Sequence, residues 1–330
     1  MVLHRMLQLS PPTLGTLALS VLAIVGPAVA QPYPSQMIRI VVASAAGTPP
    51  DIMSRIVANE LGQTAGWRVL VENKVGAMQT IGAAEVLRQP ADGYTLLSVA
   101  MSASVAPALL PSVNFGLDTD FAPVIKVATA YHVLVVHPSV PAKSLSELVA
   151  LLKSQPDKLT FSSGGFGTPA HMAGELFKLQ TGVRATHIPY QALPRAIGDL
   201  LSGTNQYQFI TPLPVLDLIA TGQLRALAVT GPTRMAALPD VPTVVEEGFP
   251  GLIVQDWSGY VVKSGTPNEV IVRLNEAINT VLAKQAVREA IAKLGAEAAG
   301  GSPAEFGNFV SSQIAYWRKV VNDSGMKMYR

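Results

Sequence analysis

The stretch VVASAAGTPPDIMSR, residues 41–55, passes from a short apolar strand through small residues and two prolines into a helical pattern. A simple reversal needs fewer residues, so the wide turn of Ser44, Ala45, Ala46, Gly47 and Thr48 points to a solute lying against the backbone. The first turn of a helix carries N–H groups without intrahelical partners, together with the positive end of the helix dipole. An anion is therefore the expected guest. The same device recurs in SSGGFGTPAHMAGELF, residues 162–177. There Ser162 and Ser163 end a strand, Gly164, Gly165 and Gly167 free the backbone around Phe166, Thr168 offers a hydroxyl and Pro169 opens a helix. Two such loops predict two anion-binding turns facing one another. For the first loop a tight strand-to-helix connection, whose small residues only allow close packing, stays open. Asp51 could serve in three ways: capping its own helix, holding the loop backbone, or accepting a hydrogen bond from a ligand.

Outward from these loops, short β-rich runs alternate with amphipathic helical stretches, the pattern of a wound α/β sheet covered on both faces. Strands are expected at 38–44, 67–73 and 94–100, around a helix from about Asp51 whose apolar residues are Ile52, Ile56 and Leu61. The apolar run 121–138 is too long for one ordinary strand and reads as a crossing between two lobes. Beyond it, Ser144 and Glu147 have capping-box spacing, and strands follow at 158–163, 185–190, 206–211 and 224–230. Two closing helices open with Thr266-Pro267-Asn268-Glu269 and Ser302-Pro303-Ala304-Glu305, each predicting a hydroxyl cap, and Trp317 falls at core spacing. Lobe 1 is expected over 31–127 and 253–330, and lobe 2 over 128–252.

The 330 residues include no cysteine, 49% are hydrophobic and 14% charged, which fits a compact globular protein with two cores. A formal charge of +2 argues against nucleic acid or an anionic membrane surface as partner. Residues 1–30 read as a cleaved secretory signal: Arg5, an uncharged run from Leu14 to Val25, then Ala28-Val29-Ala30. The run falls short of the ~20 residues of a membrane span, and without cysteine there is no lipid anchor.

Catalytic readings fare poorly. Residues 165–170 satisfy G-x-G-x-x-A, but the next strand ends in His187-Ile188-Pro189-Tyr190, with no carboxylate for a ribose. There is no G-x-S-x-G elbow and no thiol nucleophile, and His132, His137, His171 and His187 lack zinc-site spacing. No catalytic residue, metal or cofactor is assigned. His171, one turn into the helix after the glycine loop, is a candidate anion contact by position.

The segments YPSQMIRIVV (33–42), GAMQTIGAAEV (76–86), DGYTLL (92–97), FAPVIKVAT (121–129), GTPAHMAGELF (167–177), HIPYQ (187–191), GQLRALAVT (222–230), LPDVPTV (238–244) and GTPNEVIVRLN (265–275), in this order, resemble the extracytoplasmic solute receptors of tripartite tricarboxylate transporters, the Bug family. The resemblance implies an α/β, two-lobed periplasmic binding protein, type II-like, each lobe a wound, mostly parallel sheet flanked by helices, with the ligand cleft between them. It implies hinge closure around a small carboxylate and delivery to inner-membrane transporter subunits by an unanchored, monomeric periplasmic protein. Carried over by position, the ligand-binding residues would be Ala45, Ala46, Gly47, Thr48 and Asp51 in the first loop, and Ser163, Gly165, Phe166, Gly167 and Thr168 in the second. Met78, Gln79, Ser102, His171 and Thr211 follow from loop position.

Three departures bear on specificity. Ser44–Thr48 replaces an aromatic-Pro-Ala-Gly-Gly run common in the family, Met78 and Gln79 stand where paired glycines are common, and Gln206 stands where an acid is common. An atypical carboxylate, an aromatic one included, is the expectation. A solute sensor without uptake, or a secreted Rossmann-like enzyme, are the alternatives.

Overall fold

The computed structural model describes residues 33–110 and 112–326; the export signal expected over residues 1–30 lies outside them. Among the described residues the strands form two sheets, both mixed. In the first, β1 (Ile38–Val42), β2 (Val69–Asn73) and β3 (Thr95–Ala100) run parallel, linked by α1 (Pro49–Ala65) and α2 (Thr80–Leu87). Strands β1 and β3 are almost wholly buried, as strands covered on both faces must be. After β3 the chain turns at once into α3 (Met101–Leu109), and β4 (Phe121–Tyr131) then passes to β5 (Val133–Val136) in the second sheet.

That sheet is completed by β6 (Thr160–Ser163), β7 (Thr186–Pro189), β8 (Tyr207–Ile210) and β9 (Arg225–Val229). Between them lie α4 (Leu145–Ser154), α5 (Pro169–Thr181), α6 (Leu193–Leu201) and the short α7 (Leu216–Ala220). The chain returns to the first sheet as β10 (Gln255–Lys263), followed by α8 (Asn268–Leu282), α9 (Gln285–Ala292), β11 (Ala296–Ala298) and α10 (Pro303–Ser324). Strand orders are β11-β4-β10-β3-β1-β2 and β7-β6-β8-β5-β9. The wound parts, β1–β3 and β6–β8, are parallel. Strand β10 runs antiparallel to both β3 and β4, and β5 antiparallel to both β8 and β9.

Local differences from the sequence reading have packing causes. The stripe that α1 buries is Met53, Val57 and Leu61, with Ile52 and Ile56 only half covered. The i, i+4, i+8 set seated on the sheet is thus rotated by one residue. Ser302 and Glu305 make the full capping box, and Ser144 accepts from the Glu147 N–H. Thr266 does not cap α8: its hydroxyl donates to the Lys263 carbonyl, and Pro267 takes the cap position with no side-chain bond. Helix α9 and β11 lie between the two closing helices that the sequence announced. Trp317 is 1% exposed in an apolar cluster that continues through Trp257 and Phe306 to Phe161 and Phe177 beside the second sheet. Helix α10 packs on α3 and also on α5, so one core ties the two sheets together.

The chain passes between the sheets at two adjacent places. His132 separates β4 from β5, and its N–H donates to the Thr230 hydroxyl at 2.9 Å, which donates in turn to the Val254 carbonyl at 3.0 Å. Backbone bonds from Thr230 N–H to His132 O and from Val254 N–H to Thr230 O complete the clasp. Thr230→Val, nearly isosteric, strands a buried donor and a buried acceptor. It is expected to cost about 1–3 kcal/mol, read as a lower urea midpoint at unchanged slope.

Candidate functional site

A cleft of about 340 Å³ lies among the loops at the ends of β1, β3, β6 and β8 and the crossing strands. Ser44, Thr48, Gln79 and Ser102 line it from the first sheet's side, and Gly164, Thr168, Ala170 and Thr211 from the second's. Another wall includes Ala128–Ala130, His132, Gln208, Phe209 and Asp256–Ser258. Sheet topology thus brings together residues more than 200 positions apart.

The two predicted loops are built alike. Thr48 and Thr168 are the N-caps of α1 and α5, and each hydroxyl donates to the carbonyl three residues back, Ala45 at 2.6 Å and Gly165 at 2.7 Å. Gly47 and Gly167 precede them at φ +80° and +69°, the left-handed region that glycine enters without cost. The donors left over differ from the expectation. Pro49 and Pro50 have no N–H, and the Thr48 amide bonds Ala45 O, so α1 keeps only the Asp51 amide. In α5, Pro169 has none and the His171 amide is capped by Thr168 Oγ1, leaving Ala170.

Helix α3 makes good the loss on the first lobe. Its first turn, Met101-Ser102-Ala103, contains no proline and has no side-chain cap, and Ala100 and Ser102 line the cleft. Three first-turn amides are available there. The signal was present in the sequence, as a β-run passing without a turn into small helix formers, but no glycine marked it.

Of the residues expected to bind ligand, Thr48, Gln79, Ser102, Thr168 and Thr211 line the cleft. Ala45, Ala46 and Gly47 are exposed outside its wall. Asp51, only 2% exposed, accepts from Gly47 N–H at 2.9 Å, from Asn73 Nδ2 at 2.9 Å and from Arg55. It therefore supports the loop, the second of its three candidate duties, and lies outside the lining of the cleft. Burial alone would raise its carboxyl, but bonds from Arg55, Gly47 and Asn73 hold it below the ordinary range. His171, expected near the anion, instead turns its Nδ1 to accept from the Gly167 N–H at 3.1 Å. Burial, with the neighbouring His187 and Lys178, lowers it to about 3, so it is neutral and braces the loop. Ser163 is buried, bonded to His187 Nε2 at 2.7 Å, and both Phe166 and His171 pack edge-on or tilted against the His187 ring. Gly165, Phe166 and Gly167 shape this turn without reaching the cleft wall.

Met78 and Gln79 take left-handed backbone, φ 52° and 75°, which costs a non-glycine residue about 1 kcal/mol each. This is the conformation that paired glycines would adopt freely. Gln79 is fixed by accepting from the Ala100 N–H at 3.0 Å. The Met78 side chain reaches the other lobe: its Cε lies 2.0 Å from where a Cβ on Gly167 would stand. Gln206 has a structural duty, its Oε1 accepting from the Thr160 N–H at 2.7 Å.

Sequence reasoning missed the crossing-strand wall. Among the described residues lining the cleft none is Lys or Arg, and Asp256 is the one formally charged side chain. Burial pushes Asp256 up to about 7, only partly offset by the Trp257 N–H donating to its Oδ1 at 2.8 Å. His132, buried, is lowered to about 4 and is neutral at physiological pH. An anion here would be held by neutral donors, backbone amides, hydroxyls and side-chain N–H groups, because no described cationic side chain lines the space. No described helix is long and apolar enough to cross a membrane.

A family model described as the tripartite tricarboxylate transporter family receptor matches residues 53–326. Protein BugT of Bordetella pertussis is 35% identical over 307 residues, covering 92% of this chain and 94% of its own. Among solved structures, an R. palustris protein with adipate is 30% identical, with a TM-score of 0.79 over 89% of this chain and 99% of that one. MatC from Rhodopseudomonas palustris, with bound malate, is 29% identical, with a TM-score of 0.76 over 88% and 100%. On matches that span most of its length, the chain belongs to the receptor family of the tripartite tricarboxylate transporters.

Proposed function

We propose that this protein is an exported periplasmic receptor that captures a small carboxylate between its lobes and hands it to the membrane subunits of a tripartite transporter. One observation carries the reading. Two helices from different lobes, α3 and α5, begin on a single cleft that no described Lys or Arg lines. Amides aligned at helix starts hold a carboxylate reversibly, as a carrier must. Adipate and malate in two relatives of the same fold support the same chemistry.

Closure follows from differential contact. A solute touching Ser102 on one lobe and Ala170 on the other gains both sets of bonds only when the lobes meet, so its binding stabilises the closed population. Met78 and Gly167 meet across the two sides of the cleft, and it is the shape of the closed form that the transporter would read. Phe209 and Trp257 on the wall offer an aromatic solute apolar surface to pack on. The receptor works as a mature, unanchored monomer and makes or breaks no covalent bond.

The test is a thermal-shift and calorimetric screen of ligand-free protein against mono-, di- and tricarboxylates, aliphatic and aromatic. At least one is expected to raise the melting temperature in a concentration-dependent way, by about 2.7 kcal/mol of stabilisation at a hundredfold excess over Kd. Silence across the whole panel would remove the receptor reading.

A further inference from the structure

We propose that the solute carries a protonated amine besides its carboxylate, and that Asp256 on the crossing strand β10 is the residue that selects it. The inference rests on the reading of the cleft as a carboxylate site and deepens it. The amides of α3 and α5 serve one anionic group where the two lobes meet. The crossing-strand wall has the opposite character. Asp256 is its formally charged side chain, and no described lining residue supplies a cation to pair with it. The bond from the Trp257 N–H leaves this carboxylate without a counter-charge, and a cationic guest would supply the one such a wall lacks.

A second, independent set of observations places unmet polar demand on the same wall. Gln208 is 1% exposed, lines the cleft and has no hydrogen-bond partner for either atom of its amide. His132 Nδ1, Trp257 Nε1 and Ser258 Oγ are likewise buried without partners on residues that line the cleft. Buried polar groups are nearly always bonded, so four such residues around one space mark a surface that awaits a polar guest. Neutral His132 and the Gln208 carbonyl are acceptors on residues that line the same cleft as Asp256, which suits an ammonium with its three donors. A second carboxylate at this wall would meet the Asp256 charge instead. Burial raises Asp256 toward neutral pH, as expected of an acid whose counter-charge arrives with the ligand.

The experiment is a calorimetric comparison at pH 7.5 of matched acids on the full-length mature protein. Aliphatic α- and ω-amino acids of three to six carbons are each paired with the monoacid and diacid of the same length. The best amino acid is expected to bind at least about tenfold more tightly than both of its matched acids. Asp256→Asn, which keeps shape and removes charge, is expected to reduce that preference to about threefold or less. A diacid or monoacid binding most tightly to the wild-type protein overturns the inference and leaves the receptor reading standing. An amino-acid preference that survives in the variant overturns the role of Asp256. If no acid of any class binds, the receptor reading itself falls. The wild-type comparison decides the solute class even if the variant does not fold.

Discussion

Gly259→Val should be among the most damaging single substitutions in this chain, lowering stability by about 3 kcal/mol or more. Gly259 lies in β10, between β3 and β4, next to the point where the register with β4 shifts. A Cβ there would stand 2.3 Å from Phe306 Cζ and 2.7 Å from the Ile125 carbonyl oxygen. The ring could swing only by vacating the core that holds Trp257, and the carbonyl belongs to the neighbouring strand, so neither neighbour can yield cheaply. The wall of the cleft is this same strand, so the surviving folded fraction should also bind solute poorly. Gly198→Ala, in α6 with nothing near its added methyl, is the control and should be neutral or slightly stabilising. Equal melting temperatures for the two variants would show that β10 is not packed as described.

Asp51→Ala is expected to weaken solute binding by tenfold or more while leaving most of the fold in place. The buried carboxylate gathers the Gly47 amide, Asn73 Nδ2 and the Arg55 guanidinium, and Asn73 also donates to the Ser44 carbonyl at 3.0 Å. Removing it strands the Gly47 and Asn73 donors, at about 2 kcal/mol in all, and frees the turn that presents Ser44 and Thr48 to the cleft. Asp51→Glu, which keeps the charge, should recover part of the affinity. The pH dependence has a definite sign. The folded-state carboxyl lies below its ordinary value, so its contribution is full above the unfolded value near 4 and is lost as pH falls through the folded one. Asp256, raised to about 7, works oppositely: its contribution to stability is full below about 4 and is lost as pH rises toward 7. Melting curves of wild type, Asp51→Ala and Asp256→Asn between pH 3 and 8 separate the two. Asp256→Asn should gain on wild type toward neutral pH, and Asp51→Ala should lose its deficit at the acid end.

Much of this molecule is legible in one dimension because its signals are local. The wound α/β pattern follows from strand and helix periodicities. Ser144 and Ser302 cap helices because a hydroxyl three residues before a glutamate needs no distant partner. The two glycine-threonine-proline turns are likewise recognisable, since left-handed backbone at Gly47 and Gly167 and proline at the first helical position are requirements of a few consecutive residues.

What the amino-acid order could not decide is which groups those turns leave free and what stands opposite them. Asp51 became a brace because Asn73, on the neighbouring strand, reaches it; His171 became one because its ring nitrogen takes the Gly167 amide. Helix α3 begins on the cleft because β3 ends beside β10, and Asp256, Gln208 and His132 share a wall because β4, β5, β8 and β10 meet there. Sequence alone determined the elements and the two loops, whose causes lie within a few residues. Only the tertiary structure decided the chemistry of the cleft, because hydrogen-bond partners and buried charge are set by residues that folding brings together across more than a hundred positions.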